Sequence, residues 1–466
     1  MPDLSLEIMS KNAKAYVQTL GCPKNEVDSE IIRGSLESEG FRLCSDPNEA
    51  DIIVVNSCGF IREAKEESIQ TTLSLAAMKN ENKNRKLILY GCLGQRYRRE
   101  LRRLLPEVDA IFGVEEIDSL VRYCQNGRVL EPEEEVAFFP RYVEYPRRKI
   151  SKERPYAYLK ISEGCDNNCS YCAIPGIRGP LRSRRLENVI KEAQTLVDSG
   201  VKEIILIAQD TTSYGVDIHG SPELVRLLQG ISRIENLEWI RILYAHPRGV
   251  DEKLIREISE NEKICKYIDL PLQHISDRIL RSMNRKVTKK QIYDLIERVR
   301  ITVPGVALRT TLIVGFPGET EADFQELLDF VEETRFDQLG AFAYSREEGT
   351  EAYDFSNQVP RRIRQERLDL LMSCQGDIIF ERNERRIGDE LEVLVESKQE
   401  GSAGRWVCRT QHQAPEMDNC FLTTGLNLKA GDFVRVKVIG QEVYDLVAEM
   451  KGPKEFSNLT LKTTGG

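Results

Sequence analysis

The sequence predicts a multidomain α/β protein: an N-terminal parallel α/β sheet, a central six-stranded β/α partial barrel and a C-terminal five-stranded β-barrel. Three observations carry that expectation. At about 150 residues per domain the 466 residues allow roughly three domains, and 41% apolar residues are enough to bury their cores. Short apolar runs alternate with charged helical stretches in two separate series, the pattern of parallel strands joined by crossover helices. Beyond Gly388 the period shortens to brief alternating strands split by Gly and Pro turns, as in a small all-β barrel.

In the first series, over 14–125, strand-like runs at 15–20, 51–56, 86–90 and 109–113 precede helical patterns at 25–39, 61–79, 95–105 and 115–123. The stretch 126–150 carries Glu131-Pro-Glu-Glu-Glu135, Pro140, Pro146 and Arg147-Arg-Lys149, and reads as a linker. The second series, over 151–382, places strands at 156–162, 203–208, 238–244, 266–270, 306–314 and 337–344. Helices fall between them at 186–199, 221–233, 251–260, 289–302 and 321–334. In such a barrel the chemistry collects at the C-terminal strand ends. A solvated charged helix at 361–383, with Arg361, Arg362, Arg364, Glu366 and Arg367, closes it, with Leu368, Leu371 and Met372 expected to face inward. The last unit, 383–450, has five short strands at 391–395, 404–409, 420–424, 433–439 and 444–450, and 451–466 reads as a tail.

A net charge of −9 excludes a whole-chain basic field for nucleic acid. The last unit holds 8 Lys+Arg and 12 Asp+Glu from Asn383 to Met450, a sign that prefers a basic partner. Residues 1–13 lack the apolar core of a secretory signal, and no stretch approaches 18 apolar residues, so a soluble cytoplasmic protein with no membrane association is expected. In a reducing compartment, grouped members of the twelve cysteines are metal ligands or catalytic groups sooner than disulfides.

The grouping is tightest at Cys165-Asp-Asn-Asn-Cys169-Ser-Tyr-Cys172, a loop at the end of the first predicted barrel strand. Structural zinc takes four ligands, and no further Cys or His lies close enough to complete that set. Three thiolates suit a cubane iron–sulfur cluster, which uses one cysteine per iron and leaves one iron open. The spacing, with Tyr171 just before the third cysteine, resembles the cluster loop of radical S-adenosylmethionine enzymes. That resemblance implies that the open iron is chelated by the amino and carboxylate groups of S-adenosylmethionine, which is cleaved reductively to a 5′-deoxyadenosyl radical. A closed, dry barrel would keep such a radical from side reactions.

Cys22, Cys58 and Cys92 are far apart in sequence, but each follows the C-terminal end of a predicted strand. In a parallel sheet those ends gather on one edge, where ligands bind, so a second three-thiol site is one reading and three separately buried cysteines the other. The surroundings decide between them. Gln18-Thr-Leu-Gly-Cys22-Pro-Lys-Asn25, Asn56-Ser-Cys58-Gly-Phe-Ile, Ala64-Lys-Glu-Glu-Ser68 and Gly91-Cys92-Leu resemble the N-terminal domain of the methylthiotransferases, and the last unit is similar to their TRAM domain. Pro23-Lys24, Cys58-Gly59-Phe60, Gly179-Pro-Leu-Arg-Ser183, Arg309-Thr-Thr311, Gly315-Phe-Pro-Gly-Glu319 and Tyr344-Ser-Arg-Glu-Glu-Gly349 resemble the RimO branch. Arg346 departs from it, standing where proline is expected.

That resemblance implies a radical enzyme adding a methylthio group to the β-carbon of an aspartate in the twelfth protein of the small ribosomal subunit. Other branches modify adenosine in tRNA, which is not the expected partner here. It implies two 4Fe–4S clusters, one on Cys165, Cys169 and Cys172 and one on Cys22, Cys58 and Cys92, with S-adenosylmethionine and an external electron donor. Both open irons must then face one cavity, with the first sheet's edge docked over the barrel. No catalytic residue beyond the cluster cysteines is expected.

Weaker signals surround the cofactor. Tyr171, Gln209, Asp210 and Gly315 are expected to bind it, and His246 ends the third barrel strand; turn and cap roles stand beside these. His274 reads as a satisfied buried polar group before a substrate contact. Arg178, Arg182, Arg184 and Arg185 form a basic run that could contact the cofactor carboxylate or the substrate aspartate, or form a solvated face. The remaining Cys44, Cys124, Cys265, Cys374, Cys408 and Cys420 read as buried or incidental thiols.

Overall fold

The computed structural model describes residues 12–80, 84–127, 148–150, 154–399, 401–402, 404–425 and 428–451. Most of the expected linker and all but Lys451 of the expected tail lie outside these residues. The N-terminal unit runs β1 (Lys14–Thr19), α1 (Pro23–Ser38), β2 (Arg42–Leu43), β3 (Ile52–Ser57), α2 (Arg62–Ala77), β4 (Lys86–Gly91), α3 (Cys92–Leu104), β5 (Ala110–Phe112) and α4 (Ile117–Asn126). All pairings are parallel, in the order β2-β1-β3-β4-β5. Every residue of β3 is buried, as expected of a central parallel strand covered by helices on both faces. The order reverses between β1 and β3, and a crevice opens at such a switch point. Two helices start earlier than the pattern suggests. Pro23 occupies the first turn of α1, where its missing N–H costs nothing, and α3 begins directly at Cys92.

The central unit comprises β6 (Tyr156–Lys160), β7 (Ser162–Glu163), α5 (Ile174–Arg178), β8 (Arg182–Ser183), α6 (Leu186–Asp198), β9 (Glu203–Ile207), α7 (Val216–His219) and α8 (Leu224–Ser232). It continues through β10 (Trp239–Ile242), α9 (Glu252–Glu260), β11 (Tyr267–Gln273), α10 (Asp277–Ser282), α11 (Lys289–Thr302), β12 (Ala307–Val314), α12 (Glu321–Thr334), β13 (Gln338–Ala343) and α13 (Arg361–Arg386). Parallel sheets β6-β9-β10 and β11-β12-β13 meet at a bridge between Ile240 and Ile264, giving the six-stranded partial barrel. Outward side chains such as Leu159, Leu206 and Leu308 pack under the helices with Leu196, Leu227 and Val331. The inward face, with Tyr156, Tyr158, Ile205, Ile207, Leu243 and Tyr267, packs against Val27 and Ile31 of α1 and against Ala414.

Helix α13 corrects two expectations. Leu371 is buried, but Met372 is 38% exposed, because the next residue lies about 100° around a helix. Arg367 is buried, not solvated, and its guanidinium pairs with Glu319 at 2.7 Å. The helix also runs past the expected boundary at 382.

The C-terminal unit closes a barrel of β14 (Glu390–Lys398), β15 (Arg405–Arg409), β16 (Phe421–Thr424), β17 (Phe433–Glu442) and β18 (Asp445–Met450) in the order β14-β15-β16-β18-β17. Val393, Val395, Phe421, Val436 and Leu446 fill it. Its segment 409–419 passes beneath the central barrel and touches all six strands near their N-terminal ends. Glu416 accepts from the Tyr156 hydroxyl (3.1 Å), Arg409 pairs with Glu203 (2.5 Å), and the Gln411 carbonyl accepts from Arg241 (2.9 Å). Asp418 accepts from the Tyr267 hydroxyl (2.7 Å) and pairs with Arg309 (3.2 Å), and Asn419 accepts from Gln338. Of the six cysteines given no role, Cys124, Cys265 and Cys408 are buried, while Cys44, Cys374 and Cys420 are half-buried.

Candidate functional site

The first cysteine loop is fixed by its backbone. Gly164 has φ +71°, and a side chain there would meet the Pro180 carbonyl oxygen at 1.9 Å, so only glycine fits. The Cys165 N–H donates to the Gly179 carbonyl (3.1 Å), and Ser170 donates from its N–H to Met283 (3.1 Å) and from its hydroxyl to Ser282 (2.8 Å). Side-chain donors face two sulfurs: Asn167 Nδ2 lies 3.5 Å from Cys165 Sγ, and Arg285 Nη1 lies 3.5 Å from Cys169 Sγ. Burial and the fields of Cys169 and Cys165 push the Cys172 thiol up to about 12; burial also raises Cys165.

The second set gathers at the switch point of the N-terminal sheet. Cys22 precedes α1, Cys58 follows β3 and Cys92 opens α3. Small residues permit the approach: a side chain at Gly21 would lie 2.9 Å from Cys58 Cβ, and one at Gly59 would lie 2.8 Å from the Leu93 backbone. Ser68 brackets Cys58, accepting from its N–H at 2.9 Å and donating to its carbonyl at 3.0 Å. Burial, then Cys92 and Cys22, push Cys58 up to about 12; burial raises Cys92 against the opposing Arg178 charge.

All twelve cysteines are free. Among the described residues no three Cys, His, Asp or Glu side chains converge tightly enough for a single metal ion. Three thiols in each set match the donor count of a cubane, which takes one thiolate per iron. Burial favours the protonated form of Cys58, Cys92, Cys165 and Cys172, so metal binding there displaces protons.

The two sets are brought together. Cys92 shares one apolar cluster with Val114, Ala173 and Ile177, and Ala173 directly follows Cys172. Arg178, wholly within the interface, donates to Glu163 (2.9 Å) of its own unit and to Asp28 (3.1 Å), Asn25 (3.0 Å) and Cys92 Sγ (3.6 Å) of the other. Lys160 pairs with Asp28 at 2.5 Å and with Glu163. On the far side Glu347, 2% exposed, receives Lys65 at 2.7 Å and Arg96 at 2.8 Å, and Arg96 also donates to the Gly59 carbonyl at 2.9 Å.

Three members of the arginine run are not a solvated face but pair with carboxylates of the protein, while Arg185 is exposed. Arg178 holds two units together, Arg182 pairs with Glu115, and Arg184 pairs with Glu192 at 2.5 Å. Asp210 fills a cap role, accepting from the Thr212 N–H (3.0 Å), and also from Asn167 Nδ2 (2.7 Å), which ties it to the cysteine loop. Gln209 is half-buried just after β9. Tyr171 packs with Ile279, Met283, Phe316 and Tyr344 beside Cys169. Gly315 (φ +70°) forms a tight strand-end turn whose N–H donates to Glu319 (2.8 Å), with Arg364 filling the space a side chain would need. His246 accepts from the Arg248 N–H (3.3 Å), a cap; burial lowers it to about 3. His274 is fully buried, accepts from the Ser276 N–H (3.0 Å) and sits 3.5 Å from Glu319. Arg346 lies over the Tyr353 ring at 4.3 Å, away from the thiols' contacts.

Lys24, Tyr244 and Glu347 escaped the sequence reading as working residues. Lys24 and Glu347 stood inside recognised motifs without a role; nothing in the local pattern marked Tyr244. Lys24 is 6% exposed, its ammonium 3.2 Å from the centroid of the Tyr244 ring, and burial lowers it to about 8.

Comparison with known proteins agrees with this architecture. Residues 159–331 match the Radical SAM superfamily, 14–113 match the Uncharacterized protein family UPF0004, and 387–450 match the TRAM domain. The chain is 47% identical to the ribosomal protein uS12 methylthiotransferase RimO of Acetivibrio thermocellus, over 94% of this chain and 98% of that one. It is also 47% identical to that of Geobacter sulfurreducens, over 94% and 99%. Among solved structures, the radical S-adenosylmethionine methyltransferase TsrM of Kitasatospora setae shares the fold at 14% identity and TM-score 0.53, over 74% of this chain and 77% of that one. The chain belongs to the RimO family of ribosomal protein uS12 methylthiotransferases.

Proposed function

We propose that this enzyme adds a methylthio group to the β-carbon of an aspartate in ribosomal protein uS12, in the cytoplasm. Cys165, Cys169 and Cys172 hold one 4Fe–4S cluster and Cys22, Cys58 and Cys92 the other. When bound, the clusters and S-adenosylmethionine supply radical hydrogen abstraction and the sulfur and methyl that are transferred, with electrons from an external donor. The juxtaposition of Cys92 with Ala173 carries this reading, because sulfur delivery and radical generation have to reach one carbon. Asn167 and Arg285 orient donors toward two of the sulfurs, and α1 covers the inward barrel face against water. Tyr171 and the Gly315 turn support the cofactor pocket, with Gln209 and Asp210 at its rim. Units at 14–125, 151–382 and 383–450, joined at 126–150, complete the scheme; the end of α4 at Asn126 supports the first boundary, while α13, running to Arg386, carries the last one a few residues further.

A basic protein substrate is favoured over tRNA by the acidic C-terminal barrel. Glu396, Glu416, Asp418 and Arg409 are engaged within or beneath it, and nine acidic against seven basic residues remain elsewhere in 383–450. No helix among the described residues is long and apolar enough to cross a membrane. Mass spectrometry of a strain lacking the gene tests the assignment: the uS12 aspartate should lose its methylthio mass. Retention of that mass with loss of a methylthio nucleoside from tRNA would overturn it.

A further inference from the structure

The interface between the two cysteine sets contains a buried cation that no carboxylate pairs among the described residues; the charge acting most strongly in its favour is the sulfur of Cys22. Lys24 lies in the first turn of α1, two residues after Cys22, and is 6% exposed. Among the described residues no carboxylate comes within 4.0 Å of its ammonium; its close neighbour is the face of Tyr244. The nearby carboxylates are already occupied. Asp269 receives the Tyr244 N–H (2.8 Å) and Arg309 (3.0 Å), while Glu163 receives Lys160 and Arg178.

Three physical costs meet at this residue. A buried ammonium loses its hydration, and lysines normally avoid this by extending the head group into water. A cation in the first turn opposes the positive end of the helix dipole. A ring face returns only a small part of that loss. The ring is nonetheless held deliberately: Tyr244 follows β10 with φ +61°, a region an aromatic residue rarely adopts, fixed by Asp269 at its N–H and by the Thr211 N–H at its carbonyl (3.1 Å).

We propose that Lys24 receives the side-chain carboxylate of the substrate aspartate, so that the adjoining β-carbon is presented between the two cysteine sets. This rests on the reading that an aspartate of uS12 is modified. The pairing selects aspartate by supplying the paired carboxylate that no described residue gives Lys24, and the Tyr244 ring keeps the ammonium aimed while substrate is absent. An adenine offers no anion to this position.

The test uses the full-length chain with both clusters reconstituted, S-adenosylmethionine present and no reductant, so that binding is read without turnover. Fluorescence anisotropy compares two labelled peptides spanning the modified position of uS12, one with the natural aspartate and one with asparagine. The unaltered enzyme should bind the aspartate peptide about tenfold or more tightly, the range of a hydrogen bond to a charged group. Lys24→Met should abolish that preference through loss of aspartate-peptide affinity alone, and Lys24→Arg should retain it, with iron content and visible absorption unchanged in both. Equal affinities of the unaltered enzyme for the two peptides would overturn the proposal, and this arm needs no variant to fold. So would a preference that survives in Lys24→Met, or a loss that falls equally on both peptides, the result expected if Lys24 only balances cluster charge. A separate incubation with small ribosomal subunits and reductant reads the methylthio mass on uS12: its absence with the unaltered enzyme sinks the functional reading itself, whatever Lys24 does.

Discussion

Arg178 of the central barrel reaches across to the N-terminal unit and donates to Cys92 Sγ at 3.6 Å, from 86 residues further along the chain. The same guanidinium contacts Asp28 and Glu163, so one planar group meets two carboxylates and a thiol. Burial disfavours that charge, and the surrounding acids outweigh burial and hold Arg178 firmly protonated.

Arg178→Met leaves Asp28 and Glu163 buried with Lys160 as their remaining cation. Breaking a buried pair from one side costs about 3–5 kcal/mol, and thermal unfolding should register a loss of that order. The N-terminal unit should also become more accessible to limited proteolysis. Arg178→Lys should recover only part of the stability, because an ammonium cannot make the forked contacts.

Glu347→Gln separates the second clamp from the first. Lys65 and Arg96 lose their shared carboxylate at a site 20% and 9% exposed on their side, so the expected loss is about 1–3 kcal/mol in urea unfolding. Undiminished stability would show that this second clamp adds nothing to the docking of the unit.

Cys169→Ala and Cys58→Ala should each remove about four irons per chain and leave the other four. Cys169→Ala should end 5′-deoxyadenosine release, whereas Cys58→Ala should spare it and stop methylthio transfer. Anaerobic reconstitution followed by iron analysis and product chromatography reads both; loss of all iron from either variant would contradict independent sites.

Acid should loosen the C-terminal barrel through Glu203. Burial alone would raise its carboxyl, but Arg241 and Arg409 prevail and hold it below the usual range. A depressed carboxylate contributes stability that is present above its unfolded value, about 4.3, and is lost as pH falls through the lower folded value. Glu203→Gln should be about 3–5 kcal/mol less stable at pH 7 and show a flatter decline on acidification, measured by denaturation at stepped pH.

Local chemistry was legible in the sequence where it depends on neighbours along the chain. The Cys165–Cys172 loop, the strand–helix alternation and the five short strands of the last barrel are all short-range patterns. Cys22, Cys58 and Cys92 were legible through strand ends, since parallel topology gathers those ends on one edge. What escaped depends on how units dock. Arg178 and Asp28 are 150 residues apart and Lys65 and Glu347 are 282 apart, and no periodicity encodes such pairings. Arg178 and Arg182 read as a solvated face because their partners Asp28 and Glu115 lie on another unit. Lys24 stood in a recognised motif without a role for the same reason: the barrel that buries it begins more than a hundred residues later.

The segment at 409–419 gives the C-terminal barrel a second office as a splint. An open six-stranded arc has no seventh and eighth strands to hold its curvature, and here each strand is anchored to one foreign loop at its N-terminal end. Removing the last eighty residues would therefore free the arc to relax, shifting the opposite ends where the thiols sit. A truncated enzyme that fails on ribosomes would be reporting a slackened frame as much as a missing handhold. Substitutions on the barrel's outer surface, away from this loop, separate the two.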